Sequence, residues 1–172
     1  MTTMLLAIGV LAIVPRSRFR SPQSKEPTGQ VAVEGSFDLD TSADRALQFF
    51  TPEGERAWVK DWNPKPVYPP AVVFRRNAVF RVDQGEERSL WTILEADVQR
   101  HTAEYVYVVE GERLSRVRVE IEPLDAKHCR VRVRYVHTAT SEKGVQFMAR
   151  VTEQAFAEKM RDWQGMVSAR MR

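Results

Sequence analysis

Hydrophobic and polar positions become regular at residue 31, and their period predicts the elements that follow. Residues 31–39 alternate with a period of two, which indicates a strand with one buried face. Thr41 and the run Thr51-Pro52-Glu53 are typical helix starts, because each supplies a capping oxygen and the second adds a proline at the first helical position. We expect two short helices here, ending near Phe50 and Lys60.

The segment from residue 71 to residue 139 has the pattern of strands joined by tight turns, since short alternating stretches are separated by polar links. We expect an antiparallel meander whose first two strands form a bent pair. The predicted strands cover residues 71–75, 78–83, 89–96, 102–109, 114–124 and 129–139.

Opposite charges predict the register of the later strands. Pairing Glu122 with Arg130 also sets valines opposite valines on the other face, and pairing Glu104 with Arg118 extends the same arrangement by one strand. These charged positions predict an ion-pair ladder on the outer sheet face and argue against a nucleic-acid site there. They are Arg116, Arg118, Arg130, Arg132, Arg134, Glu104, Glu120 and Glu122.

The C-terminal segment predicts one long helix. Ser141 is a good N-cap, and apolar residues then recur every three or four positions to residue 167. A helix of roughly 30 residues would be about 45 Å long, enough to cross a whole sheet. The predicted fold class is therefore α+β, with a curved antiparallel sheet of about six or seven strands, two short helices after the first strand, and the long helix packed across the sheet.

The first 30 residues follow a different pattern. An unbroken apolar run from Met4 to Val14 is too short to span a bilayer, and its basic residues follow the run instead of preceding it. Three interpretations stay open: an extension outside the fold or an overlong start-codon assignment, a weak membrane-surface anchor, and a secretory signal. We divide the chain into a leader with linker, residues 1–30, and one domain, residues 31–172. Any membrane contact would run through residues 4–20.

Charge and composition narrow the function classes. The formal net charge is +3 and the isoelectric point is about 9.2, yet the whole positive excess lies in residues 1–30. Because residues 31–172 are electrically balanced, we expect no nucleic-acid partner. The single cysteine, Cys129, and the absence of ligand spacing predict no disulfide and no metal. No cofactor-binding or nucleophile motif occurs either, so we expect no cofactor.

Several local sequences together match a known pattern. They are Phe50–Arg56 leading to Trp58, Trp62-x-Pro64, Tyr68-Pro69, Ala78–Arg81, Trp91, and Thr138-x-x-Ser141-Glu142-x-Gly144. In these segments the chain resembles the START-like superfamily, also called SRPBCC, in its polyketide cyclase/dehydrase and lipid-transport branch. The resemblance runs from Val31 to Arg170 and implies the helix-grip fold of the birch-pollen allergen.

This resemblance implies a deep, mainly apolar cavity between sheet and helix. The predicted register and helix stripe supply large apolar walls with almost no converging ionisable groups. The alternative, that these side chains simply fill the space, stays open. Trp58 and Trp62 either cover the mouth of the cavity or anchor the loop that carries them, and we favour the anchor. The predicted cavity residues are Phe37, Trp58, Trp62, Phe80, Trp91, Tyr105, Tyr107, Val117, Val119, Val133, Tyr135, His137, Met148, Phe156, Met160 and Trp163.

Binding or transport of a small hydrophobic molecule, such as a lipid, a sterol-like or an aromatic/polyketide compound, is the function these walls favour. One alternative is an aromatase/cyclase-type enzyme in which His137, Tyr105 or Tyr135 moves protons. Another is a co-chaperone-like interaction module that uses the outer arginines of residues 130–134. We expect a cytoplasmic protein that is a monomer or a homodimer.

Overall fold

The computed structural model describes residues 29–171, and the expectations for the apolar run and the linker up to residue 28 lie outside these residues. Seven strands and three α-helices lie within these residues. They are β1 Gln30–Leu39, α1 Ala43–Gln48, β2 Lys65–Tyr68, β3 Val79–Gln84, β4 Glu87–Asp97, β5 Thr102–Val109, β6 Arg113–Pro123, β7 Cys129–Ala139, α2 Glu142–Met148 and α3 Glu153–Met171, with a 3₁₀ turn at Gly54–Ala57 between α1 and β2.

All seven strands form one antiparallel sheet in the order β1-β7-β6-β5-β4-β3-β2. The sheet is curved, and α3 packs across its inner face, where Phe156 lies against Tyr135 with ring centroids 5.7 Å apart. The predicted α+β class, with its curved sheet and covering C-terminal helix, is confirmed. No helix within residues 29–171 is long and apolar enough to cross a membrane.

Both charge-based registers are confirmed. Glu122 lies opposite Arg130 and Glu104 lies opposite Arg118. The ion pairs do not all join the residues that are opposite in the register. Arg130 binds Asp38 of β1 at 2.8 Å instead of Glu122. Arg118 binds Glu104, and it also binds Glu95 and Glu120. The outer face is thus a network of paired charges, as the alternation predicts.

The first connection differs from the prediction in two places. The N-cap of α1 is Ser42, whose hydroxyl accepts from the Arg45 amide, and the cap is not Thr41. The second predicted helix is only the single 3₁₀ turn Gly54–Ala57. Thr51 still accepts a hydrogen bond from the Gly54 amide at 3.0 Å, so the start signal is real but the segment that follows is too short to propagate a helix.

The predicted strand at residues 71–75 is wrong. Its place beside β3 is taken by β2, Lys65–Tyr68, a segment with a proline at residue 66 for which the sequence pattern predicts no strand. Pro66 is tolerated because β2 is the edge strand, where a missing N–H removes no hydrogen bond within the sheet. Val73 and Phe74 are apolar because they pack against the core from an irregular segment.

The predicted single C-terminal helix is also wrong, since it is divided into α2 and α3 around residues 149–152. Thr152, which continues the apolar spacing, instead caps α3 by accepting from the Ala155 amide at 3.1 Å. The 19 residues of α3 are about 28 Å long at 1.5 Å per residue. The break has a consequence for the site, because the turn it creates lies over the inner face of the sheet.

Candidate functional site

A cavity of about 400 Å³ lies between the inner face of the sheet and the turn and helix that cover it. One wall is a cluster of aromatic rings. Trp91 stacks on Tyr107 with centroids 4.1 Å apart and on Phe80 at 5.9 Å, and Trp62 meets Trp91 edge-on at 5.3 Å. Trp91 and Tyr107 are directly opposite in the β4–β5 register, so the alternation of two neighbouring strands builds this wall.

Three polar groups of this aromatic wall are hydrogen-bonded within the protein. The Trp62 indole donates to the Pro52 carbonyl at 2.8 Å, and the Tyr105 hydroxyl donates to the Phe50 carbonyl at 2.6 Å. The Trp91 indole donates to a serine hydroxyl on its own strand. With these donors occupied, the rings contribute apolar surface to the cavity.

Eleven of the sixteen residues predicted for the cavity line it. They come from β3 to β7, from the connection before β2, and from α3, which is the arrangement the register predicts. These eleven are Trp62, Phe80, Trp91, Tyr105, Tyr107, Val117, Val119, Tyr135, His137, Phe156 and Trp163.

The other five predicted residues do not line the cavity, for two reasons. Phe37, Val133 and Met160 are fully packed in the core, where Phe37 contacts Phe50 with ring centroids 6.3 Å apart. Phe37 and Val133 lie on the sheet and Met160 lies on α3, and all three are packed in the core outside this cavity. Met148 lies on α2, which the break separates from the covering helix.

Trp58 is also misplaced, because it lies behind the wall and not at the mouth. It is buried, its indole donates to the Phe49 carbonyl at 2.7 Å, and its ring packs edge-on against Trp163 at 5.1 Å. Trp163 is thereby fixed from behind while its other surface borders the cavity.

The expectation of an almost uncharged cavity is wrong. Five charged residues line it, and they come from segments that are distant in sequence: Glu55, Glu87, Arg113, Arg150 and Lys159. Only Lys159 left a signal in the sequence, since it lies three residues after Phe156 and four before Trp163 on the same helix face. The others lie in turns or at strand ends, where periodicity gives no information on which side chain faces the core.

Lys159 is an exposed residue of α3 whose ammonium lies against the aromatic rings on the helix side of the cavity. Its Nζ is 5.0 Å from the ring centroids of both Tyr135 and Trp163. Desolvation of the ammonium lowers its pKa, while the nearby Glu55 raises it. The two ring faces favour the charged form of the amine through cation–π attraction.

Glu55, on the 3₁₀ turn, lines the same cavity as Lys159. Burial raises the pKa of its carboxyl to about 8, and the opposing attraction of Lys159 is smaller. At pH 7 this carboxyl is therefore mostly neutral. An acid that titrates near neutral pH inside an apolar cavity is the kind of group that can hold or move a proton.

Arg113, by contrast, has its charge compensated. Its buried guanidinium pairs with Glu87 at 2.6 Å and with Glu112, and its Cζ lies 3.9 Å from the centroid of the Phe147 ring. Lys143 binds the other oxygen of Glu112 at 2.9 Å. This closed network joins β4, β6 and α2 at one end of the cavity.

His137 lies beside this network with Nδ1 2.7 Å from the Ser115 hydroxyl oxygen. Its ring stacks on Tyr135 with centroids 5.3 Å apart. Burial first, and then the charges of Arg113 and Lys159, lower the pKa of the imidazole to about 4, so His137 is neutral at pH 7. Within residues 29–171 no group of three or more His, Cys, Asp or Glu side chains is placed to hold a metal ion.

No family model matches the chain, and no curated protein matches its sequence. Solved structures do match it. A norcoclaurine synthase from Thalictrum flavum aligns with a TM-score of 0.58 and 8% identity over 92% of this chain and 98% of that chain. Ara h 8.0201 aligns with a TM-score of 0.56 and 13% identity over 80% of this chain and 92% of that chain.

A third match is the di-domain ARO/CYC BexL from the BE-7585A biosynthetic pathway, with a TM-score of 0.61 and 15% identity over 80% of this chain and 46% of that chain. All three have the helix-grip architecture. This chain therefore has a helix-grip fold, which is the fold that its sequence resemblance implied. At these identities the likeness establishes the fold alone, and function has to be argued from the cavity.

Proposed function

We propose that this chain binds a small, mainly apolar molecule in the cavity and carries or sequesters it without changing it chemically. The observation that supports this most is the cavity of about 400 Å³ with an aromatic wall in which the Trp62 and Trp91 indoles and the Tyr105 hydroxyl donate to protein groups. Pockets for small molecules are typically this large and are lined by apolar rings with a few polar groups. Lipids, sterol-like and aromatic or polyketide compounds all have suitable chemistry.

A solved structure with this fold supports binding of a small aromatic molecule, and because that protein is a synthase it is equally consistent with a carrier and with an enzyme. One norcoclaurine synthase structure contains dopamine and hydroxybenzaldehyde, both small aromatic molecules. We propose that the protein is located in the cytoplasm, which cell fractionation tests. We also propose that it is a monomer or a homodimer, which size-exclusion chromatography tests.

Blocking the cavity tests the proposal. Ala155 lines it from the first turn of α3, so Ala155→Phe should reduce the affinity for an apolar fluorescent probe at least tenfold. Ala169→Phe is the matched control, because it adds the same ring to an exposed position of the same helix outside the cavity. Native mass spectrometry of the purified protein identifies any co-purifying ligand. Absence of binding by every apolar probe, with the fold intact, would contradict the proposal.

A second candidate is an enzyme of the aromatase/cyclase kind, and the observation that favours it is Glu55, which titrates near pH 8 inside the cavity. His137, held by Ser115, is the second proton carrier in this reading. Tyr105 is less suited, because its hydroxyl is bound to a carbonyl and burial raises its pKa well above the usual value.

Glu55→Gln and His137→Ala distinguish the two candidates. In an enzyme they would abolish conversion of a poly-β-ketone thioester, followed by mass spectrometry, while leaving its binding in place. In a carrier the thioester would be recovered unchanged from wild type and from both variants. The interaction-module hypothesis has no such support, since Arg116, Arg118, Arg130 and Arg132 of the outer face are already ion-paired.

A further inference from the structure

We propose that the molecule this cavity takes carries a carboxylate, and that the Lys159 ammonium binds it. The inference rests on the proposed binding function and deepens it by giving the ligand class: an apolar, ring-containing or long-chain acid. Its basis is the position of Lys159 among the charges that line the cavity.

Lys159 differs from Lys65 and Lys143, which are ion-paired. Lys65 and Lys143 each contact a carboxylate at 2.9 Å, whereas Lys159 has no ion-pair partner within residues 29–171. Its Nζ lies instead over the faces of Tyr135 and Trp163. A cation that lines an apolar cavity without an anionic partner attracts an anionic ligand more strongly than the same cation in water.

The charge balance of the cavity leads to the same conclusion. Arg113 is paired with Glu87 and Glu112, so its charge is compensated within the protein, and only its Nε is left without a hydrogen-bond partner. Lys159 and Arg150 remain on the positive side, and only Glu55 remains on the negative side. Burial raises the Glu55 pKa to about 8, so this carboxyl is mostly neutral at pH 7 and the uncompensated charge is positive.

The neutral polar groups beside Lys159 also suit a ligand that accepts hydrogen bonds. His137 is uncharged at pH 7 and adds no negative charge beside Lys159. The Tyr135 hydroxyl stays protonated, because burial raises its pKa well above the usual value, and it can donate a hydrogen bond. A neutral Glu55 carboxyl can also donate, and Lys159 adds a positive charge, so an oxygen anion is favoured over an ammonium group.

Three probes of one shape test the inference: anthracene carboxylate, anthracene methanol and anthracene methylamine. Trp62, Trp91 and Trp163 line the cavity, and energy transfer from them to anthracene reports binding. At pH 7 the wild-type protein should bind the carboxylate at least tenfold more tightly than the alcohol and should bind the amine most weakly. Equal affinity for carboxylate and alcohol overturns the inference, and this result needs no variant.

Variants then assign the preference to Lys159. Lys159→Met should lose about tenfold in affinity for the carboxylate and less than twofold for the alcohol, while Lys159→Arg should keep most of the preference. Arg161→Met is the matched control, because it removes a positive charge two residues along α3 from a side chain outside this cavity. Thermal unfolding by circular dichroism checks each fold, and Lys159→Gln replaces the methionine variant if that one is unfolded.

The outcomes separate the two levels of the proposal. If wild type binds none of the three probes, the proposed binding function fails. If it binds carboxylate and alcohol equally, or if Lys159→Met weakens both probes alike, binding stands and the role of Lys159 is wrong. A loss of the same size in Arg161→Met would show that only the overall charge matters and would also overturn the inference.

Discussion

The two faces of this sheet use the same charged residue types in opposite ways. On the outer face, Arg118, Arg130 and Arg132 pair with carboxylates in contact with water. On the inner face, Arg113 is paired and buried, while Glu55 and Lys159 share an apolar cavity without a salt bridge between them. In water an ion pair contributes little to the free energy of unfolding, and a single charge is well solvated. Inside the cavity an ionisable group either has a shifted pKa or is paired with an opposite charge. The charges with functional consequences are therefore the few inner ones.

The largest expected difference between the faces is in packing. Ile93 and Leu94 are neighbours on β4, but Ile93 is 0% exposed on the inner face and Leu94 is 37% exposed on the outer face. Ile93→Ala should lower the free energy of unfolding by about 3–4 kcal/mol, because it leaves a cavity in the core. Leu94→Ala should lower it by less than about 1 kcal/mol. Urea denaturation measures both, and equal losses would contradict this assignment of the faces.

Removing one charge from each face gives the next difference. Arg113→Ala removes a buried guanidinium and leaves Glu112 with only Lys143 as its ion-pair partner, so the free energy of unfolding should fall by about 2 kcal/mol. Arg130→Ala breaks only a solvated pair with Asp38 and should cost less than about 1 kcal/mol. Denaturant titration at constant salt measures the two losses. If Arg130→Ala were the more costly, the distinction between the faces would be wrong.

Acid should destabilise the protein through His137. Its folded-state pKa is about 4 and its usual value is 6.5, so the unfolded chain binds a proton first as the pH falls. This contribution is intact above pH 6.5 and is lost between pH 6.5 and pH 4, by on the order of 2 kcal/mol. Nuclear magnetic resonance titration of the imidazole and denaturation over this range check it. His137→Gln should remove the dependence, and an unshifted imidazole titration would contradict the burial of a neutral ring.

Glu55 should act in the opposite direction and more weakly. Its pKa is raised from 4.5 to about 8, so the contribution is present below pH 4.5 and is lost as the pH rises to 8. Because part of the side chain faces the open cavity, we expect a loss on the order of 1 kcal/mol. The comparison is between wild type and Glu55→Gln in denaturation series from pH 5 to pH 8. Parallel curves for the two proteins would mean that Glu55 is ionised at neutral pH.

Most strands of the sheet could be predicted from the sequence, because the alternation that defines a strand is local and repeats along the segment. Alternation located β1 and β4 to β7, and opposite charges at Glu122 and Arg130 set the register of a pair. The same parity brought the aromatic wall to the inner face. Local sequence did not predict β2, which contains Pro66 and lies at the edge of the sheet. The cost of a proline in a strand depends on whether a neighbouring strand lies on the side of the missing N–H, and local sequence does not give that information.

The segments that cover the cavity could be predicted less well from the sequence. Thr152 fits a helical stripe and also fits an N-cap, and only the packing of two separate helices against the sheet selects the cap. Trp58 and Met148 were misplaced for this reason, since the path of the chain at either end of the cavity decides which side chain faces inward.

The sequence by itself determined the architecture, the outer charge ladder and most of the apolar lining, because each follows from a period of two or of about three and a half along one segment. Only the tertiary structure decided that Glu55, Arg113 and Lys159 meet in one cavity, and which of them remains without a partner. Ionisable groups interact through space over distances that sequence spacing does not encode, and their pKa values depend on burial, which is a property of the whole fold. The candidate ligand chemistry follows from those three residues.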